Sequence, residues 1–206
     1  MKYLIFLNLI LLVLIGYSQN RYNSDEVYEI NSLIDNEDNW IFYLKKDNSL
    51  VTGHVQYLDS TGKIVVENNF KDGLLNGEIR QWHENGQLKL KSSYINGKLN
   101  GKSTRWHDNG KLSLEQYYLN GKTDGVFNSY FENGQIEASC NRINFLLEGK
   151  LLNYYSNGQI KFEHHYIKNK LNGVSKYWNE DGNLLYHRIY IDGYIISSGI
   201  IDIDEK

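Results

Sequence analysis

Glycine recurs on a fixed 24-residue step through most of this chain, and a period of that length marks an array of identical supersecondary units. Gly53, Gly77, Gly101, Gly125, Gly149 and Gly173 form one column, and Gly62, Gly86, Gly110, Gly134, Gly158 and Gly182 a second. A third holds Gly73, Gly97, Gly121 and Gly193, with Phe145 and Asn169 in its two gaps. Six units therefore run over 53–196 without insertion or deletion. Of the 18 glycines only Gly16 and Gly199 lie outside these columns, and the 206 residues include no proline. Proline's fixed φ fails where a turn wants positive φ, and its missing N–H breaks a strand ladder. Collagen-like and Pro-rich linker architectures are excluded.

Within a unit the apolar spacing drops to two. From Gly77, GEIRQWH reads as a strand, ENGQ as a turn, LKLKSSY as a second strand and INGKLNG as another turn. Leu88, Leu90 and Tyr94 share one face of the second strand, while Lys89, Lys91 and Ser93 share the other. The apolar face returns as Leu112, Leu114 and Tyr118, then Ile160, Phe162 and Tyr166, then Leu184, Tyr186 and Tyr190. Asn-Gly at 85–86, 109–110, 133–134 and 157–158 predicts tight hairpins, because both residues accept positive φ. Asp181-Gly182 is the equivalent in the last unit, and Thr61-Gly62 a weaker form in the first.

The first strand carries one large side chain per unit: Leu58, Trp82, Trp106, Tyr130, Tyr154 and Trp178. These and the column Tyr94, Tyr118, Tyr166 and Tyr190 are expected to form the core. His83, His107, Phe131 and Tyr155 come one residue later and are expected on the opposite side, as first contacts for a partner. The expected fold is all-β, a single elongated antiparallel meander of six hairpin repeats with short capping segments. Its structural positions include Gly77, Trp82, Gly86, Tyr94, Gly97, Gly101, Trp106, Gly110, Tyr118, Gly121, Trp178 and Gly182.

The ends differ from the array. Residues 1–18 place Lys2 before an apolar run from Leu4 to Ile15, with Gly16 and Ser18 flanking Tyr17 ahead of Gln19. That order is the grammar of a secretory signal peptide, and the run is too short to span a bilayer. The mature chain is expected to begin near Gln19, exported to a bacterial periplasm, cell surface or medium. The lone Cys140 fits such a compartment and excludes an internal disulfide framework. Residues 19–39 form a polar leader, read either as irregular or as a short helix capped by Ser24 over Val27, Ile30, Leu33 and Ile34. Residues 40–52, with Trp40, Phe42 and Leu44, are expected to cap one edge as a half-repeat; 197–206 form the C-terminal cap and tail.

The pattern G-x4-W/Y-x3-G-x7-Y-x2-G-x3-G resembles the MORN-variant repeat, the form found in bacterial YwqK-type antitoxins of toxin–antitoxin pairs. KDNSLVTG at 46–53 is similar to the half-unit that opens such arrays. The resemblance implies an array without enzymatic activity of its own that acts by binding, in an antitoxin-like or immunity-like role. The fourth unit departs from the pattern, with Arg142 in the tyrosine column and Phe145 in a glycine column. Arg142 is therefore added to the candidate partner contacts.

Chemistry-bearing residues follow the repeat rather than converging. His83 and His107 share a column, so their backbones are expected about 9–10 Å apart, too far for easy sharing of one metal. His164 and His165 are adjacent on a strand and must point to opposite faces. Glu84, Asp108, Glu132 and Glu180 recur beside each turn, as solubility and turn propensity require. No metalloprotease helix motif, nucleophile elbow, phosphate loop or dinucleotide fingerprint is present. No catalytic residue, metal or cofactor is expected, and Cys140 is expected to be an inert buried thiol. The net charge of −3 and pI near 6.1 offer no global basic field to nucleic acid. The expected activity is protein binding through the extended sheet. An envelope carbohydrate or lipid held by exposed aromatics is the second reading.

Overall fold

A computed structural model describes residues 21–32 and 39–200. The predicted signal peptide lies outside the described residues. The chain divides into two compact units, 1–74 and 75–206.

The first unit contains β1 (Arg21–Asn23), a 3-10 turn (Ser24–Glu26), β2 (Val27–Ser32), β3 (Asn39–Leu44), β4 (Gly53–Leu58) and β5 (Ile64–Lys71). Among the described residues of the leader there is no helix beyond that 3-10 turn. The Asn23 N–H donates to Glu26 Oε2 at 2.7 Å and closes a single turn, after which Val27–Ser32 pairs antiparallel with β3. A lone short helix leaves its termini unpaired, whereas a ladder on β3 satisfies the backbone along its length, and Val-Tyr-Glu-Ile suits the pleat. β1 pairs parallel with β4, and β4 with β5 in the repeat register, Gly53 opposite Phe70. The core here is Val27, Leu44, Val51, Val55 and Phe70, with Val51 and Val55 wholly buried.

The second unit follows the two-residue strand β6 (Leu74–Leu75) at the boundary. Its strands are β7 (Gly77–Trp82), β8 (Leu88–Ile95), β9 (Lys98–Trp106), β10 (Leu112–Leu119), β11 (Lys122–Tyr130) and β12 (Ile136–Ile143). They continue as β13 (Leu146–Tyr154), β14 (Ile160–Ile167), the short β15 (Lys170–Leu171), β16 (Gly173–Trp178), β17 (Leu184–Ile191) and β18 (Tyr194–Ile200). Spatial order follows chain order from β7 to β18, apart from β15, which sits off the path on β14, and each neighbouring pair is antiparallel. The expected all-β hairpin array is what forms.

The turn chemistry differs from expectation. At 83–87 the Gly86 N–H donates to the His83 carbonyl at 2.8 Å, and only Gly86, at φ 86°, is left-handed. Asn85 serves through its side chain instead: Oδ1 accepts from the Gln87 N–H at 2.9 Å, and Nδ2 donates to the carbonyl of Asp108 in the next repeat. Asn109, Asn133 and Asn157 repeat both contacts and stitch successive turns together. The two-residue turn with both φ positive lies at the other end of the hairpin, at Asn96 (48°) and Gly97 (79°).

The glycine column at 101 is no turn at all. Ser92 pairs with Ser103 and Tyr94 with Leu99, so Gly101 sits in a β-bulge at φ 97°.

Phe145 takes the place of Gly97 and still adopts φ 70°, after Asn144 at 49°. Its ring is about half exposed, so little packing offsets the strain. Phe145→Gly is expected to stabilise the chain by about 1 kcal/mol, the order of the left-handed penalty for a non-glycine residue. A urea midpoint that stays put or falls would contradict this.

Candidate functional site

Residues paired across an antiparallel ladder share a face of the sheet. The register therefore threads one row through the second unit: Ile79, Ser92, Ser103, Gln116, Phe127, Cys140, Leu151 and His164. Ser175 and Arg188 continue it on the last hairpin. Buried Ile79, Ser92, Ser103, Cys140 and Ser175 all lie on this row, flanked by the buried Tyr190. The flanking residues on the same face are Gln81, Leu90, Tyr94, Arg105, Leu114, Tyr118, Ser129, Ala138, Arg142, Asn153, Phe162, Tyr166, Tyr177 and Tyr186. Arg105, Arg142 and Arg188 are the only charged residues of this register, and it holds no Asp, Glu or Lys.

The other face carries the ion pairs. Glu78 meets Arg80 and Lys91, Lys102 meets Glu115, and Lys150 Nζ lies 3.0 Å from Glu163 Oε1. In an acidic chain the carboxylates of the strands are thus confined to one side.

Trp82, Trp106, Tyr130, Tyr154 and Trp178 do not share a face with Tyr94 and its equivalents. Alternation from Gly77, which faces Tyr94, puts Trp82 with Glu78 and Arg80, and the Tyr130 hydroxyl donates to Glu115 at 3.2 Å. Period two shows that residues alternate; it does not say which side of one strand matches which side of the next.

The predicted partner contacts turn out to have internal partners. His83 Nε2 donates to the Trp106 carbonyl, His107 Nε2 to the Tyr130 carbonyl and the Tyr155 hydroxyl to the Trp178 carbonyl, each at 2.9 Å. Each clamps one repeat to the next and is half-buried. Phe131, at the same position, has no polar atom for such a bond. Trp82, His83, Glu84, Asn85, Lys89 and Asp108 line a groove of about 480 Å³ beside this clamp. The Arg142 guanidinium lies 5.6 Å from the Phe127 ring centroid, and its buried Nε has no hydrogen-bond partner. Cys140 is buried, and burial pushes its thiol pKa up, which leaves it a poor nucleophile.

One cluster has no counterpart in the sequence reading. On the acid-free face Phe162 stacks on His164 at 4.4 Å, His164 meets Tyr177 edge-on at 5.3 Å, and Tyr177 stacks on Tyr186 at 4.3 Å. The Arg188 guanidinium lies over Tyr186 and Tyr177 at 5.1 and 5.9 Å. Burial and the bond to Tyr190 push the Tyr177 phenol up to about 12. The signal lies in single substitutions within their columns: Tyr177 where Gln81, Arg105, Ser129 and Asn153 stand, Tyr186 where Leu90, Leu114 and Ala138 stand.

His164 lies within this cluster, its Nε2 hydrogen-bonded to the Tyr177 hydroxyl at 3.1 Å. Burial, and then the neighbouring His165, hold its pKa below the ordinary 6.5. The unfolded chain therefore binds a proton before the folded one does, and stability is lost as pH falls below about 6.5. His164→Gln is expected to flatten the thermal midpoint between about pH 5 and pH 7 relative to the wild type. Equal slopes for the two proteins would refute the assignment.

Among the described residues no group of three or more His, Cys, Asp or Glu side chains is placed to hold a metal. No curated protein matches the chain. The MORN repeat variant profile matches residues 75–96, 99–122, 123–144, 147–168 and 171–192, each on the same phase of the hairpin and together more than half of the chain. With its glycine columns, hairpin register and inter-repeat clamps, this chain belongs to the MORN repeat variant family.

Proposed function

We propose that this protein is an exported, non-enzymatic repeat scaffold that binds another protein across the acid-free face of its second unit. The observation that carries this reading is the composition of that face. Protein interface cores are enriched in aromatics and arginine and depleted in Lys, Asp and Glu. Both sides carry aromatics, and they differ in charge: Arg105, Arg142 and Arg188 without Lys, Asp or Glu on one, where Phe162, Tyr177 and Tyr186 also cluster, and the Glu78, Glu115 and Glu163 ion pairs on the other. The apolar leader at 1–18 supports export. The relation to the partner is that of an antitoxin or immunity protein to its target, on the likeness of the repeats to that group.

Photocrosslinking tests the reading. A photoreactive phenylalanine analogue at Tyr186, on the acid-free face, is expected to capture one protein of defined mass in the host envelope. The same analogue at Lys91, on the ion-paired face, is expected to leave that protein uncaptured. Equal capture from both sites, or none from either, would overturn it. Sequencing the N-terminus of the recovered chain tests export, with cleavage expected near Gln19.

A further inference from the structure

We infer that the acid-free face recognises an extended, carboxylate-bearing segment of its protein partner, with Arg142 and Arg188 as the two anchors. This rests on the protein-binding reading and adds the chemistry of the partner. The face has cations and no anions to balance them, although the chain as a whole is acidic. Among the described residues no carboxylate pairs with either guanidinium.

Both arginines are held in place by aromatic rings. Arg188 lies over Tyr177 and Tyr186 and bonds to Tyr190; Arg142 lies over Phe127 with its Nε buried and unsatisfied. A guanidinium already ordered on a ring loses little further freedom when it forks onto a carboxylate. The half-buried rings around it exclude water from the pair.

The spacing adds a second condition. Arg142 on β12 and Arg188 on β17 are separated by β13, β14 and β16, which is four strand spacings or about 19 Å. An extended chain crossing the strands covers that span in about six residues at 3.3 Å each. The partner segment is therefore expected to carry two acidic residues five to seven positions apart, with apolar or aromatic residues between them to meet Phe162 and Tyr177.

The test is selection from a displayed library of random peptides about twelve residues long against the full chain. Peptides enriched on the wild type are expected to hold Asp or Glu in pairs at that spacing. A chosen peptide is expected to lose at least about tenfold in affinity when its two acids become Asn or Gln. The loss should be similar on Arg142→Gln/Arg188→Gln, and binding should be unchanged on Lys91→Gln/Lys102→Gln, which alters the other face. Arg142→Lys/Arg188→Lys keeps the charge but not the fork and should recover part of the binding, with the thermal midpoint of each variant checking its fold. Enrichment of neutral or basic peptides, no enrichment, or equal loss on the other face would overturn the inference. So would binding of an oligogalacturonate with no acidic peptide selected, which would make the face a polyanion site. Face-specific crosslinking together with peptides that ignore their acids would leave the protein-binding reading intact and remove the acidic partner.

Discussion

Phe70→Ala is expected to destabilise the chain by about 3–5 kcal/mol, the usual range for deleting a buried phenyl ring. Phe70 is 4% exposed and lies 4.6 Å, ring to ring, from Phe42, in a small core otherwise made of Val27, Leu44, Val51 and Val55. Its position in the repeat is that of Tyr94, opposite a glycine at Gly53. Deletion leaves a cavity that five residues on short strands cannot close. At roughly 2–4 °C per kcal/mol for a chain of this size, the thermal midpoint followed by circular dichroism should fall by roughly 6–20 °C. Phe70→Leu, which keeps most of the volume, should cost under about 1.5 kcal/mol. A Phe70→Ala midpoint equal to that of the wild type would mean that the N-terminal unit is not held together by this core.

Gly125→Ala is the second large effect, and its comparison with Gly149→Ala separates two causes. Both glycines occupy one column of the repeat. Gly125 has φ 114°, and a Cβ there would meet Tyr117 Cβ at 3.1 Å. Gly149 has φ 79° with nothing within 4 Å of the added carbon. Gly149→Ala therefore carries only the left-handed penalty, about 1–2 kcal/mol. Gly125→Ala carries a backbone cost of about 1–3 kcal/mol and must also displace the Tyr117 side chain or its strand. Urea midpoints should fall for both and further for Gly125→Ala. Equal losses would show that the neighbouring strand gives way freely and that φ alone sets the requirement for glycine.

The array itself was legible because its signals are local. Turn glycines, the two-residue alternation of Leu88, Leu90 and Tyr94, and the 24-residue phase each belong to a single hairpin, and each hairpin repeats them. The N-terminal leader, where the sequence allows an irregular segment or a short helix, is the opposite case. Val27, Ile30, Leu33 and Ile34 do have helical spacing, but Val27–Ser32 is decided by β3, which begins only at Asn39. The dipeptide Asn85-Gly86 by itself predicts a turn with two left-handed residues. The structure keeps Asn85 right-handed or extended and uses its side chain to reach Asp108, a partner 23 residues away that no local rule indicates.

The candidate site was less legible than the fold. His83, His107 and Tyr155 stood out as regular positions near the surface, and their regularity is that of an inter-repeat clamp. Arg142 stood out because it breaks a column, and it does lie on the acid-free face opposite Gly125. The cluster of Phe162, His164, Tyr177, Tyr186 and Arg188 was missed because its members fall in three different columns of two repeats. Each looks like an ordinary substitution until the register places them side by side.

From sequence alone come the repeat length, the hairpin unit, the all-β class and the absence of any local catalytic motif, since each is written within about 24 residues and copied. Tertiary structure alone decides which side of one strand meets which side of the next. That choice depends on bulges, such as the one where Gln81 pairs with Leu90 and Trp82 with Leu88, a single extra residue in β8 that breaks the alternation between the two strands. It is also what gathers Glu78, Glu115 and Glu163 on one face and leaves Arg105, Arg142 and Arg188 with the cluster of Phe162, Tyr177 and Tyr186 on the other.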